Sequence, residues 1–127
     1  RKKGPVNEIK SYQDLKVWQS GMELAKLCYL LTRSFPKEEL FGMTSQIRRA
    51  AASIPANIAE GYGRETTGDY IRFLRIAQGS LKELETHLLL SVEVDICRVD
   101  VTQSAQSAAG ELGKMLRSLI RTLESKQ

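Results

Sequence analysis

Seven residues in the second half of the chain recur in alternating steps of four and three: Tyr70, Leu74, Ala77, Leu81, Leu84, Leu88 and Ser91. That is a heptad seam, and it commits this stretch to one amphipathic helix with a single apolar stripe. Such a helix gains most of its stability from burying the stripe against other elements. A chain of 127 residues is one domain's worth, so the partners must come from the same domain. The rest of the sequence supplies them. Val101, Ala105, Ala108, Leu112, Met115, Leu119 and Leu123 repeat the spacing. Met43, Ile47, Ala50 or Ala51, Ile54 and Ile58 make a third row. The first segment carries two rows, Leu15, Trp18, Met22, Ala25 and Tyr29 beside Val17, Leu24, Cys28, Leu31 and Phe35. Two rows on one helix cover more than one face. No stretch keeps the apolar–polar alternation of a strand. The spacing predicts helices over about 12–34, 38–61, 67–94 and 101–124. Short connections make neighbours antiparallel, so the expected fold is an all-α, up-down-up-down four-helix bundle.

Local signals set the expected ends. Ser11 with Asp14 three residues on is a capping-box variant for the first helix. Pro36 disfavours helical geometry at Phe35 and should stop it. Gly42 interrupts the start of the second helix, and Thr44 is its expected cap. Pro55 lies inside the second pattern, which predicts a kink near Ala51–Pro55. Gly61 and Gly63 are stops, Thr66 or Thr67 caps the third helix, and Asp100 or Thr102 the fourth.

Charge narrows the function classes. Lys plus Arg number 19 and Asp plus Glu 15, a net charge of +4. Arg1, Lys2 and Lys3 supply three of those charges, so residues 1–10 read as a basic, flexible arm ahead of a nearly neutral bundle over 11–127. Three charges give little affinity for nucleic acid at physiological salt. The two cysteines, Cys28 and Cys97, are far apart and sit among apolar residues, as buried thiols do. No apolar run approaches a membrane span, and the start of the chain lacks a secretory pattern, so a cytoplasmic protein without membrane contact is expected.

The catalytic repertoire is thin. His87 is the one histidine, four residues after Glu83 on the third helix. A di-iron bundle needs Glu-x-x-His on two helices, so this pair reads as an ion pair rather than a metal site. Gly61-Tyr62-Gly63 follows a helix instead of a strand and has no phosphate-loop lysine after it. No catalytic residues, metal or cofactor are expected. The unusual stretch is 46–61. Pro55 leaves the Ala51 carbonyl without its helical donor, and Ser53, Asn57 and Glu60 are spaced to build a polar network beside it. Arg48, Arg49 and Glu60 are placed to pair with Glu83 or Glu85 on a neighbouring helix. The alternative use of Arg48, Arg49 and Arg64, with the arm residues Arg1, Lys2 and Lys3, is an RNA surface. Helix arginines are more often solvated or paired, so the structural reading leads.

Gln46-Ile47-Arg48-Arg49-Ala50-Ala51 followed by Ser53-Ile54-Pro55-Ala56-Asn57-Ile58-Ala59-Glu60-Gly61 closely resembles the signature of the bacterial 23S ribosomal RNA intervening-sequence protein family. Tyr12–Trp18, Phe35–Thr44 and Phe73–Thr86 fit the same family in order. The resemblance implies a four-helix bundle and a homo-oligomer, specifically a homopentamer. It is similar in fold to the accessory variability proteins of diversity-generating retroelements, which bind nucleic acid and a reverse transcriptase. The expected function is a non-catalytic RNA- or DNA-binding accessory protein. The alternatives are a retroelement accessory protein with a reverse transcriptase and its RNA as partners, or a protein-interaction scaffold.

Overall fold

Ser11 caps as expected, but what it caps is a 3-10 turn, Tyr12–Asp14. The Gln13 amide donates to the Ser11 hydroxyl at 3.1 Å, and the Asp14 carboxylate accepts from the Lys10 and Ser11 amides at 2.9 and 3.2 Å. Leu15 is extended (φ −74°, ψ 129°), so the chain breaks before α1, Lys16–Thr32. The break lets Leu15 and Trp18 pack on the core while the Tyr12 ring meets Trp18 edge-on at 5.2 Å. This computed structural model describes residues 8–127, so Arg1, Lys2 and Lys3 of the expected arm lie outside the described residues. Lys10, which the sequence assigned to that arm, is tied down through its backbone amide.

After Pro36 a second 3-10 turn, Lys37–Glu39, precedes α2, Met43–Tyr62. Gly42, not Thr44, is the residue before α2, and the Glu39 carboxylate takes the Met43 amide at 2.9 Å. Thr44 is inside the helix and buried. The helix runs as one element through Pro55. Gly63 ends it, and Thr66 caps α3, Thr67–Glu93, accepting from the Asp69 amide at 3.1 Å. The turn after α3 uses Asp95 at φ 63°, a left-handed conformation that Asp tolerates better than most residues. α4 is Val99–Glu124, starting earlier than expected. Asp100 is held by Arg98 instead of capping, and Thr102 is buried in the first turn.

Contacts between helices fix the topology. Tyr29 meets Arg48 and Gly21 meets Pro55, so α1 and α2 run antiparallel. Gly61 faces Phe73 across α2–α3. Gln106 donates to the Glu85 carbonyl at 3.2 Å, and Arg75 pairs with Glu124, across α3–α4. Ser20 lies 3.6 Å from the Met115 sulfur across α1–α4. Each helix thus touches its two neighbours in a closed square, with α2–α3 the most extensive contact. Among the described residues there is no strand.

The seam of α3 is buried as its spacing requires, with Leu74, Leu81, Leu84 and Leu88 fully inside. Even Ser91 is buried, its hydroxyl donating to the His87 carbonyl at 2.9 Å. On α1 the row through Val17, Leu24, Cys28 and Phe35 enters the core, while Met22 and Tyr29 of the other row stay exposed. On α4 the buried row is Thr102, Ala105, Ala109, Leu112, Leu116 and Ile120. The expected Ala108, Met115 and Leu119 are only half-buried, because they turn toward the α1 side instead of the centre.

Candidate nucleic-acid interface

The guanidinium of Arg48 is committed to the fold. Its Nε donates to the Thr32 hydroxyl at 2.9 Å, one Nη reaches the Tyr29 carbonyl at 3.4 Å, and the group lies 4.8 Å from the Tyr29 ring centroid. Thr32 is itself buried and donates to the Cys28 carbonyl at 2.7 Å. Arg48 therefore pins α2 to the end of α1. Arg49, one position on, is rotated to the surface and has no acidic partner among the described residues. The ion pairs expected from Arg48, Arg49 and Glu60 to Glu83 or Glu85 do not form. Glu83 stands beside His87 at 3.5 Å, Glu85 pairs with Lys82 at 3.0 Å, and Glu60 pairs with Arg64 at 2.9 Å. Arg48 turns instead to Thr32 and Tyr29 of α1 and Glu60 to Arg64, a choice of side that spacing along the sequence does not contain.

Arg64 is also occupied. Besides Glu60 it covers the Phe73 ring, 4.7 Å from the centroid, and Arg72 lies 4.5 Å from the same ring while pairing with Asp69 at 3.6 Å. Two guanidiniums on one buried ring close the α2–α3 end of the bundle. Arg64 lies 16 residues beyond Arg48, about 24 Å along a helix axis at 1.5 Å per residue. Arg48 and Arg49 stand near the start of α2 and Arg64 just past its end, so the three do not form one surface.

The polar network around Pro55 is shorter than its spacing suggested. The Ser53 hydroxyl donates to the Ala50 carbonyl and the Asn57 amide to the Ser53 carbonyl, both at 2.8 Å. Glu60 takes no part, being drawn off by Arg64. None of the side-chain bonds among the described residues reaches the Ala51 carbonyl, which Pro55 leaves without a proline amide to accept from.

A basic row that sequence reasoning passed over lies on α4. Lys114, Arg117 and Arg121 are spaced i, i+3, i+7 and stand exposed, opposite the buried Leu112, Leu116 and Ile120. Lys114 leans toward Glu111 at 3.7 Å, and no acid pairs with Arg117 or Arg121 among the described residues. Lys16 of α1 lines the same open groove as Lys114. The signal was present as three cations at helical spacing, but net charge drew attention to the N-terminus instead.

Other chemistry has little to work with among the described residues. No three His, Cys, Asp or Glu side chains come together there as metal ligands. Both His87 ring nitrogens are shielded and make no hydrogen bond. Burial pushes the Cys28 thiol up to about 12, so it stays protonated and poor as a nucleophile. No described helix is long and apolar enough to cross a membrane.

Comparison with known proteins agrees with this architecture. A crystal structure of a protein of unknown function from the S23 ribosomal protein family of Bacteroides thetaiotaomicron VPI-5482 superposes with a TM-score of 0.73 at 28% sequence identity. The match covers 82% of this chain and 97% of that one. No curated protein matches. The model of the 23S rRNA-intervening sequence proteins matches residues 13–118, nearly the whole bundle from the first 3-10 turn to the last turns of α4. On that match the chain belongs to the 23S rRNA-intervening sequence protein family.

Proposed function

We propose that this chain is a non-catalytic, homo-oligomeric accessory protein that binds structured RNA through the outer face of α4. The observation that carries the reading is the row Lys114, Arg117 and Arg121, exposed and largely unneutralised on the side away from the core. Cations at this spacing track a phosphate backbone without reading bases. The homo-oligomer belongs to the proposal because assembly would multiply a surface that is weak in one copy.

The test is filter binding of a structured ribosomal RNA fragment across salt. Three phosphate contacts per chain give a log–log salt slope of about −2.1 to −2.7, so affinity falls roughly 20- to 40-fold between 50 and 200 mM salt. Charge reversal at Arg117 or Arg121 should weaken binding to all sequences alike and lower the slope by about one. No retention at 50 mM salt, or retention unchanged by both reversals, overturns the proposal.

A further inference from the structure

The seam between α1 and α4 is not closed over its whole length. At the start of α1 it opens into a trough of about 540 Å³, within the size range of small-ligand sites. Its walls are apolar, Leu15 and Val17 from the α1 side and Met115 and Leu119 from α4. Its edges are cationic, because Lys16 lines it from α1 and Lys114 from α4, both exposed. Lys114 has only Glu111 near it, at 3.7 Å and with both side chains more than two-thirds exposed, a pairing too weak to neutralise it. An apolar trough between two cations suits an occupant with an apolar body and an anionic tether. The order of side chains around α4 narrows the occupant further. A helix turns roughly 100° per residue, so outward from Met115 come Thr122, Ser118, Lys114, Arg121 and Arg117 in that order. Apolar floor, two hydroxyls and three cations follow one another across less than half the helix circumference. Both hydroxyls are exposed, and neither bonds to a protein group among the described residues. A nucleotide has the same order of parts: base, sugar, phosphate.

We propose that this trough receives one unpaired base of the bound RNA, with its ribose on Ser118 and Thr122 and the flanking phosphates on Lys16 and the α4 row. The proposal rests on the RNA reading above and names the kind of RNA taken, a stem interrupted by a looped-out nucleotide. A base inside a duplex offers only its edges in the grooves, whereas an unpaired one can be splayed out and its faces packed against side chains. The apolar walls give no hydrogen bond to a base edge, so the site takes the four bases alike. The unbranched Met115 side chain can settle against rings of either size. A second groove further along the same seam, about 310 Å³, sets the limit on length. Glu23 and Glu111 line it and repel a phosphate, so the trough holds a single nucleotide and not a continuous strand. A free amphiphile would match the walls and the two lysines but leave the hydroxyls, Arg117 and Arg121 without a role.

Filter binding of two RNA hairpins tests this, one with a fully paired stem and one with a single unpaired nucleotide added to the same stem. The wild type is expected to hold the second about fivefold more tightly, the low end for one stacked base because the walls are aliphatic. Met115→Ala removes one wall and should bring that preference close to one while leaving the affinity for the paired hairpin unchanged. Met115 is half-buried, so circular dichroism and the paired-hairpin affinity together show that the variant is folded. Arg117→Glu should weaken both hairpins alike and keep the preference. No retention of either hairpin at 50 mM salt overturns the RNA reading and the trough with it. Equal affinity for the two hairpins, or a preference that survives Met115→Ala, overturns the trough alone, leaves the α4 row standing, and opens the trough to an apolar chain or a protein instead.

Discussion

Two glycines in helices should respond to the same substitution with opposite signs. Gly61 stands where α2 comes nearest to α3. A Cβ there would lie 2.7 Å from the Phe73 Cβ and 3.2 Å from the Tyr70 carbonyl oxygen. Real side chains do not approach so closely, and neither contact is the loose end of a flexible chain. α3 would have to retreat by about 1 Å, and forced overpacking of this kind costs ~1–3 kcal/mol. Alanine recovers up to about 1 kcal/mol through helix propensity. The net expectation for Gly61→Ala is a loss of roughly 1–2 kcal/mol. Gly79 has no atom within 4 Å of its would-be Cβ, so Gly79→Ala keeps the propensity gain alone, about 0.5–1 kcal/mol. Urea denaturation at one protein concentration reads both. With a slope of roughly 1–3 kcal/mol per molar, the two midpoints should separate by on the order of 1 M, on opposite sides of the wild type. A Gly61→Ala midpoint that rises alongside that of Gly79→Ala would refute the close α2–α3 approach.

Three further expectations follow from the packing and the charges. Leu116→Ala should cost ~2–5 kcal/mol by urea denaturation and Leu119→Ala clearly less; equal losses would restore the seam first expected on α4. Arg48→Ala should cost about 1–2 kcal/mol by urea denaturation, because it removes a bond to the buried Thr32 hydroxyl and a ring contact, while Arg49→Ala should stay within ~0.5 kcal/mol. Burial raises Cys28 from 9.0 to about 12 and Tyr70 from 10.0 to about 12. The folded state then holds protons that the unfolded state has released, so stability should fall as pH rises from about 9 toward 12. Cys28→Ala and Tyr70→Phe should each flatten that fall in pH-dependent thermal melts, and an unchanged slope in both would count against buried protonated groups as its source.

The heptad of α3 was legible because all but its first residue point to the centre of the square, and a single stripe leaves no choice of face. α4 was harder. Ala105 and Leu112 belong to both the expected and the observed rows, and the two rows differ by one position around the helix. Only the placement of α1 and α3 decides which of Met115 and Leu116 faces inward, and sequence spacing does not contain that placement. The same holds on α1, where two rows were visible but not which of them was core. The break at Leu15 escaped notice because its signals, Ser11 and Asp14, serve a 3-10 turn as well as an α-helix. At the site, Arg48 and Arg64 looked like candidates by type and turned out to be consumed by Tyr29 and Phe73, aromatic partners on other helices. The free row on α4 needed only its spacing to be seen.

The near-contact of Gly61 with Phe73 also bears on the order in which the bundle comes together. α2 and α3 are consecutive, joined only by residues 63–66, and share the most extensive contact, so their hairpin can form early at low loop-closure cost. α1 precedes both of its walls in the chain and lacks them until α2 and then α4 have emerged. The α1–α4 seam joins the first and last helices of the bundle, and its closure carries the largest loop-closure cost. It is also where open grooves run between Val17 and Met115 and between Ser20 and Leu112. A nascent chain therefore holds a finished central hairpin while its first helix still waits for a partner that has not been made. The clasp between α1 and α4 joins the first and the last helix of the bundle across the longest stretch of chain.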